Sequence, residues 1–274
     1  MEIKNKIGTQ IHNVVSWEIA FKEVDHDPDH WRIGYSAQSL AAFITLPQED
    51  RLSGVEWLMS TIESLLGCTN VIFDNAEIEH PSKVDGYRGG QRMQDLAIWG
   101  KVGIKTLFVG IEAKVLEEFD LYVPDAYQDA LDYRDKKNER SMKYKRVEEL
   151  VDRLFPGSKP IDESIMKLRY QLFHYLVASH LEGTTVSESK KSIKARKNLA
   201  DVIVLPVLVF KTPHYDENPK KAAENMKDFE RFFNALDCFK KISVPSLESV
   251  FFGEMDGQQI YAFYKTLEIT NPGL

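Results

Sequence analysis

The segment Met93–Val115 constrains the fold more than any other part of this 274-residue chain. Two short apolar runs, Asp95–Trp99 and Thr106–Ile111, flank a connection, Gly100–Gly103, that contains two glycines. Short apolar runs on either side of a glycine-containing connection are typical of a β-hairpin. The sequence therefore predicts two antiparallel strands here.

Charged residues stand at the ends of this predicted hairpin. Asp95 opens the first run, and Glu112-Ala113-Lys114 follows the second. Because side chains alternate between the two faces of a strand, Glu112 and Lys114 project from one face, and the hairpin can bring Asp95 opposite them. Burying such charges costs several kcal/mol per ion unless they are paired or bind a metal. Two interpretations stay open: a catalytic patch, or a surface group of ion pairs contributing only ~0 to 1 kcal/mol each.

Asp95, the hairpin and the Glu112-Ala113-Lys114 triplet resemble the catalytic core of the PD-(D/E)XK nuclease superfamily, which includes restriction endonucleases, Holliday-junction resolvases and RecB-type nucleases. The resemblance covers roughly Gly54 to Phe210. It departs from the family name at one position, where Gln94 precedes the acid instead of proline. It implies an α/β, restriction-endonuclease-like fold with a mixed central β-sheet flanked by helices.

The resemblance also implies roles for individual residues. Asp95 and Glu112 would bind Mg²⁺ or Mn²⁺, the backbone carbonyl of Ala113 would add a ligand, and Glu56 would complete the site from a helix. Lys114 would orient the attacking water and offset phosphate charge. A lysine between two acids is expected to stay protonated, which favours an electrostatic role over that of a strong base.

Glu56 lies in the clearest predicted helix, Pro47–Leu66, which has proline in its first turn and Gly67 as a C-terminal cap. Glu56 and Glu63 share a face with an otherwise apolar stripe. Either both reach solvent at the margin of the stripe or one of them reaches the metal site. Glu56 fits the family pattern better because it is nearer the helix start.

A second predicted helix, Ile161–Leu181, contains Gln171 and Tyr175 one turn apart. This Q-x-x-x-Y spacing is similar to the helical motif that follows E-x-K in RecB-type nucleases, which adds Gln171 to the candidate catalytic residues. Spacing of this kind is common in helices and gains meaning only from its position after the hairpin. His174, in the same stretch, is interpreted as a surface residue, with a general base as the alternative.

Other segments complete the predicted sheet. The nearly continuous apolar run Asp201–Lys211 predicts a strand that is covered on both faces. Pro206 interrupts this run and implies an edge strand, a bulge or two short strands. The further predicted elements are strand Val71–Glu79, helix Pro219–Leu236 and strand Gln258–Ile269. The order of elements indicates a mixed sheet between helical layers.

The domain organisation is predicted from the same elements. Residues 1–46 are expected to be an N-terminal extension packed on the core, and residues 47–274 a single nuclease-like domain. A strongly charged stretch at about 116–160, with helical propensity, indicates a helical insertion.

The formal net charge of -7 argues mildly against nucleic-acid binding, but the basic residues are clustered. Arg88 and Arg92 lie in the glycine-rich segment before Asp95, where they could contact phosphates. Basic residues in the charged stretch form a second group, of which Lys143, Lys145 and Arg146 are candidate phosphate ligands. A third group spans residues 190–197. Solvated helix faces or loops are the alternative interpretation.

We therefore expect a metal-dependent nuclease that cleaves DNA by attack of a Mg²⁺-activated water. The alternative is a catalytically inactive protein of the same fold that binds nucleic acid or another protein. Two cysteines without a CxxC motif fit a reducing cytoplasm, and neither a signal peptide nor an apolar run approaching ~18 residues is recognised. No recognition domain is visible, so a homodimer or a partner subunit is possible.

Overall fold

The structure is a computed structural model that describes residues 1–25, 31–46, 52–82, 84–85, 87, 92–182, 184–189, 192–198, 200–213, 215 and 219–269. It has an α/β architecture. The strands are β1 (Glu2–Asn5), β2 (Val71–Ser82), β3 (Arg92–Val102), β4 (Lys105–Lys114), β5 (Thr184–Ser189), β6 (Ser192–Asn198), β7 (Val202–Lys211), β8 (Phe239–Ile242), β9 (Ser249–Met255) and β10 (Gln258–Glu268). The helices are α1 (Val14–Lys22), α2 (Ser36–Thr45), α3 (Gly54–Leu66), α4 (Val123–Lys136), α5 (Lys143–Leu154), α6 (Tyr170–Glu182) and α7 (Pro219–Asn234).

Eight strands form one mixed sheet in the order β1-β2-β3-β4-β7-β10-β9-β8, and β5 and β6 form a separate hairpin. The pairs β1–β2, β4–β7 and β7–β10 are parallel, whereas the other pairs are antiparallel. Helices α1, α2 and α3 pack on one face, and α4 to α7 pack on the other. The predicted α/β fold with a mixed sheet between helical layers is confirmed.

The N-terminal segment is more closely integrated than an extension packed on the core. Strand β1 pairs in parallel with β2, with Glu2 opposite Asn75. Trp17 of α1 and Leu40 of α2 are buried in the core on one face of the sheet. A strand of four residues is too short for its sequence pattern to predict, which explains why β1 was not expected.

The hairpin is confirmed, but its turn lies later than predicted. Val102 pairs with Lys105, so the turn consists of Gly103 and Ile104, and Gly100 stays within β3. Gly103 has φ +58°, a conformation that favours glycine. Gly100 is needed for a different reason, because a Cβ there would lie 2.1 Å from the carbonyl oxygen of Ile72 on β2.

Strand β7 is central, lying between β4 and β10, and is neither an edge strand nor two short strands. Its pairing with β4 extends to Val109–Val204 and resumes at Glu112–Val207. The gap includes Pro206, which has no N–H to donate. The Tyr175 hydroxyl lies 2.7 Å from the carbonyl oxygen of Gly110 and 2.9 Å from that of Pro206. A side chain from α6 thus supplies the donor that the proline lacks.

Two predicted helices begin later than expected. Helix α3 starts at Gly54, where Ser53 caps it, and residues 47–51 lie outside the described part of the chain. Helix α6 starts at Tyr170 instead of Ile161, because the chain before it folds into successive turns. The insertion predicted at about 116–160 contains α4 and α5. Within the described residues, no helix is both long and apolar enough to cross a membrane.

Candidate functional site

Strands β3 and β4 bring Asp95 and Glu112 together. The register pairs Leu96 with Ile111, which places Asp95 directly across from Glu112 on the neighbouring strand. Lys114 follows two residues later on the same face. Glu112 and Lys114 are buried, with 4% and 6% of their surfaces exposed, and Asp95 is partly buried. These three predicted site residues therefore converge on the face of the sheet covered by α6.

Gln171, in the first turn of α6, joins the two charged groups of β4. Its Nε2 donates a hydrogen bond to Glu112 Oε1 at 2.6 Å, and its Oε1 accepts one from Lys114 Nζ at 3.1 Å. Lys114 Nζ also lies 2.8 Å from Glu112 Oε1. The three side chains form a closed triangle of contacts, so α6 brings Gln171 to the charged residues of β4, the position that the resemblance to RecB-type nucleases implies for it.

Helix α6 lies directly on β4 at this point. A Cβ on Gly110 would be 2.7 Å from Ser179 Oγ of α6 and 2.8 Å from Gln94 Oε1 of β3. Gln94 Nε2 donates to Ser179 Oγ at 2.9 Å. Tyr175 contacts the backbone of β4 and β7, and burial followed by the charges of nearby carboxylates raises the pKa of its phenol well above the ordinary value. Glycine at position 110 is thus required for the close approach of the helix.

Acidic side chains outnumber basic ones at the site. Burial, followed by repulsion from Glu112, raises the pKa of Asp95 to about 8, although Lys114 and the backbone N–H of Ala113 oppose the rise. That N–H donates to Asp95 Oδ2 at 2.6 Å. Burial lowers the pKa of Lys114, but the carboxylates of Glu112 and Asp95 outweigh it, so the net shift is upward. Lys114 is therefore a protonated cation next to acids that it neutralises only in part.

Sequence reasoning did not single out two further acids, Glu79 and Glu117. Glu79 of β2 stands opposite Asp95, between the register pairs at Ile78 and His80, and has φ +48°, a rare conformation for a non-glycine residue. Burial and then Asp95 raise its pKa well above the ordinary value. The sequence could not single out Glu79, because its unusual φ leaves no signal in the residue pattern.

Glu117 follows β4 and folds back on the backbone. Its Oε2 accepts hydrogen bonds from the amides of Val115 at 2.6 Å and Leu116 at 3.1 Å. Burial raises the pKa of Glu117, but hydrogen bonds from the backbone N–H groups of Val115 and of Glu117 itself, together with the charge of Lys114, lower it by more, so the net shift is downward. Glu117 thus adds a stable negative charge near Lys114.

Glu56 is not brought to the site, and the expectation that it completes the metal centre is corrected. Glu56 Oε2 accepts hydrogen bonds from Ser53 N at 3.0 Å and Ser53 Oγ at 2.9 Å, forming a capping box at the start of α3. The alternative, Glu63, accepts a hydrogen bond from Val71 N at 3.1 Å. Both carboxylates accept hydrogen bonds from backbone N–H groups near the ends of α3, and α3 packs on the opposite face of the sheet from α6.

The carboxylates of the candidate site determine which divalent cation it can hold. Among the described residues, no group of three or more His, Cys, Asp or Glu side chains is arranged to hold a metal ion. Mg²⁺ nevertheless binds proteins through one or two carboxylates while keeping several waters. Asp95 and Glu112 offer two hard-oxygen carboxylates on adjacent strands, and a cation between them would favour the ionised form of both. The pair fits Mg²⁺ or Mn²⁺. At Ala113 the N–H group donates to Asp95 Oδ2, and the role of the Ala113 carbonyl as a ligand stays a prediction.

Some of the candidate phosphate ligands lie outside the described residues, and the others lie on α5. Arg88 lies outside the described residues, as does the side chain of Arg92 and those of the third basic group at 190–197. In α5, Arg146 is ion-paired with Asp85, and its Nη2 lies 3.3 Å from Asp85 Oδ1. Lys143 and Lys145 are exposed on the same helix.

His174 is buried instead of lying at the surface, and its ring centre lies 4.6 Å from that of Tyr170 in an edge-to-face arrangement. It lines a cleft between α4, α5 and the start of α6. The interpretation of His174 as a surface residue is therefore wrong, and its alternative role as a general base stays a prediction.

Comparison with known proteins gives one family. Searches of the curated proteins and of the solved structures find no match. Residues 10–259 match a family that is described as "Domain of unknown function (DUF6946)". Since this match covers most of the 274 residues, the chain belongs to the DUF6946 family.

Proposed function

We propose that this protein is a metal-dependent phosphodiesterase, most simply a nuclease that cleaves DNA. One observation carries the proposal: Asp95, Glu112, Lys114 and Gln171, from two strands and a helix, converge on one buried patch. Burial of more carboxyl groups than cations opposes their ionisation, and pKa values perturbed in this way are typical of functional sites. The residues in contact are those that the resemblance to PD-(D/E)XK nucleases selects.

The order of elements around the patch supports a restriction-endonuclease-like core. Helix α3 leads into β2, the β3–β4 hairpin carries the acids and the lysine, and α6 connects onward to β7. Strand β7 pairs in parallel with β4, next to the site. This sequence of helix, strand, hairpin, helix and strand is the one that the superfamily resemblance implies.

The mechanism is in-line attack of water on a phosphodiester, which requires neutralisation of the phosphate, deprotonation of the water and stabilisation of the leaving oxygen. A divalent cation held by Asp95 and Glu112 would supply Lewis-acid chemistry. Lys114, kept protonated by its neighbours, orients the water and offsets the charge that grows on the phosphate. Gln171 fixes the positions of Lys114 and Glu112 through its two hydrogen bonds.

A second candidate function is a nuclease-fold protein that binds nucleic acid or protein without catalysis. A specific observation favours it: Lys114 and Gln171 both occupy the same oxygen of Glu112, and the described residues contain no ready-made set of three ligands. A cation that binds the folded state must raise its stability by RT ln(1 + [L]/Kd). The non-catalytic protein is therefore expected to gain no stability from Mg²⁺ or Mn²⁺.

The decisive experiment measures cleavage of supercoiled plasmid, linear duplex DNA, single-stranded DNA and RNA with Mg²⁺, with Mn²⁺ and with EDTA. We expect metal-dependent cleavage that Lys114→Ala reduces by at least about 100-fold. Lys105→Ala is the matched control, because it removes the same charge at the opposite end of β4, about 30 Å away by strand geometry. Absence of cleavage of every substrate, together with a melting temperature that no metal changes, would overturn the proposal.

A further inference from the structure

A cleft of about 620 Å³ lies beside the candidate site, between α4, α5 and the start of α6. Ligand pockets in proteins have volumes of roughly 300 to 1,000 Å³, so the cleft has room for a small organic group but not for a double helix. The residues that line it are Asp120, Leu121, Ala126, Asp129, Ala130, Asp132, Tyr133, Lys136, Lys137, Lys143, Arg146, Val147, Tyr170 and His174.

The lining combines three kinds of group that a nucleotide requires. Lys136 is ion-paired with Asp132, and Arg146 with Asp85, within the protein. Lys137 and Lys143 can neutralise a phosphate, and Asp129 can accept hydrogen bonds from base N–H groups. Tyr133 is partly exposed and supplies an aromatic ring, and Lys143 Nζ lies over one face of it, 4.0 Å from the ring centre. A base that stacks on the other face of the ring has this positive charge close by for its phosphate. A site for phosphate alone would have no use for the ring.

The cleft and the candidate site are adjacent at two points in the chain. Tyr170 lines the cleft, and the next residue, Gln171, bonds to Glu112 and Lys114. Asp120 lines the cleft, and the residue before it, Phe119, lies under Lys114, whose Nζ is 5.5 Å from the ring centre. Consecutive Cα atoms are only 3.8 Å apart. A nucleic-acid strand that is bound at the candidate site can therefore place its neighbouring nucleotide in the cleft.

We propose that this cleft binds one unpaired nucleotide of the substrate, next to the phosphate at the candidate site. The inference rests on the proposed nuclease function and specifies its substrate class, which is single-stranded nucleic acid or the single-stranded part of a branched one. Paired bases are stacked inside a duplex and cannot reach the Tyr133 ring. The cleft therefore selects against continuous duplex.

The test measures binding without cleavage. Fluorescence anisotropy follows a labelled single-stranded DNA oligonucleotide, and the same sequence as a duplex, in EDTA. We expect tighter binding of the single strand, and a loss of about 5- to 150-fold in Tyr133→Ala, which is the range for removal of one base stack. Tyr133→Phe keeps the ring and is expected to bind as the wild type does. It also serves as the folding control, with the melting temperatures of both variants compared.

The charge contribution is tested in the same assay. Lys143→Ala is expected to weaken single-strand binding and to reduce its dependence on salt, since fewer counterions are released. Lys105→Ala removes an equal charge far from the cleft and is expected to bind normally. Equal affinity of wild type and folded Tyr133→Ala, preference for duplex, or displacement of the oligonucleotide by inorganic phosphate would each overturn the inference.

The outcomes separate this inference from the proposed function. Loss of single-strand binding in Tyr133→Ala, in a protein that cleaves nothing, supports the cleft and rejects the nuclease. Metal-dependent cleavage with unchanged binding by Tyr133→Ala supports the nuclease and rejects the cleft.

Discussion

At the scale of single residues, Lys114 and Glu112 form an ion pair that is almost completely buried, with side-chain exposures of 8% and 5%. Desolvation of two charges opposes such a pair, and attraction between them offsets that penalty only when both partners are present. Gln171 contributes hydrogen bonds to both charges, which makes the geometry favourable. The pair is consequently expected to depend on each of its members.

We predict that Lys114→Met destabilises the protein by about 3 to 5 kcal/mol, because it leaves the Glu112 carboxylate buried without its cation. The double variant Glu112→Gln/Lys114→Met removes both charges and is expected to regain most of this loss. Urea unfolding of the wild type, both single variants and the double variant measures the coupling.

The exposed pair Lys22–Glu18, with side-chain exposures of 53% and 37%, is the control for this cycle. Its removal is expected to change the free energy of unfolding by less than about 1 kcal/mol. If the double variant at the buried pair proved as unstable as Lys114→Met, the loss would come from packing and not from an uncompensated charge.

At the scale of secondary-structure elements, α6 is fixed to the sheet where the ladder between β4 and β7 is interrupted. We predict that Tyr175→Phe destabilises the protein by about 1 to 3 kcal/mol, because the buried carbonyl groups of Gly110 and Pro206 lose a donor. Tyr127→Phe is the matched control, since that hydroxyl contacts the carboxylate Glu148 Oε1, at 2.6 Å, in a less buried setting. Thermal unfolding of the two variants makes the comparison. Equal, small effects would show that Tyr175 is not needed to complete the ladder.

The correction at α3 leads to a prediction of its own. Glu56→Ala is expected to lose about 0.5 to 2 kcal/mol of stability, the range for removal of a helix cap, and to retain any nuclease activity. Glu56→Gln keeps an acceptor for the capping box and is expected to change neither property. Urea unfolding and the plasmid assay measure both effects. Loss of cleavage in a folded Glu56→Gln protein would restore this residue to the active site.

The difference between α3 and the hairpin shows what residue patterns can predict. The convergence of Asp95, Glu112 and Lys114 follows from the two-residue period of the strands and from the presence of one turn between them. It was therefore predicted correctly although the turn was placed a few residues too early. The place of Glu56 depended on whether its carboxylate reached across the core or back to Ser53. The unpaired N–H groups at the helix N-terminus decide that choice, because they bind the carboxylate, and the spacing of residues in the sequence does not reveal it.

At the scale of the whole molecule, long apolar segments were predictable and short ones were not. The strands β2, β3, β4, β7 and β10 all lie within or near predicted segments. The edge strands β1 and β8 have only four residues each, too few to show a period. The position of Glu79 opposite Asp95 was also not predictable, because it depends on the pairing of β2 with β3 and on a positive φ.

The charge excess at the site has a consequence for the stability of the whole molecule without metal. The raised pKa of Asp95, about 8 against ~3.9 in an unfolded chain, means that the folded state binds more protons than the unfolded state between these values. Stability is therefore present at low pH and is lost as the pH rises towards about 8. Asp95→Asn has no proton to lose and keeps an acceptor for the Ala113 N–H.

We predict that Asp95→Asn melts at a higher temperature than the wild type in EDTA at pH 8, and that this advantage disappears towards pH 4. Each kcal/mol corresponds to roughly 2 °C in a chain of this size. Mg²⁺ is expected to raise the melting temperature of the wild type, because it neutralises the carboxylates, but not that of Asp95→Asn. Melting curves at several pH values, with EDTA and with Mg²⁺, measure both effects.

A wild type that is more stable than Asp95→Asn at pH 8 in EDTA would mean that the protein alone compensates the charge of Asp95. A cation that binds there would then add no stability. The opposite result would identify a site whose acids destabilise the fold until a cation binds, which is the exchange of stability for activity that functional sites show.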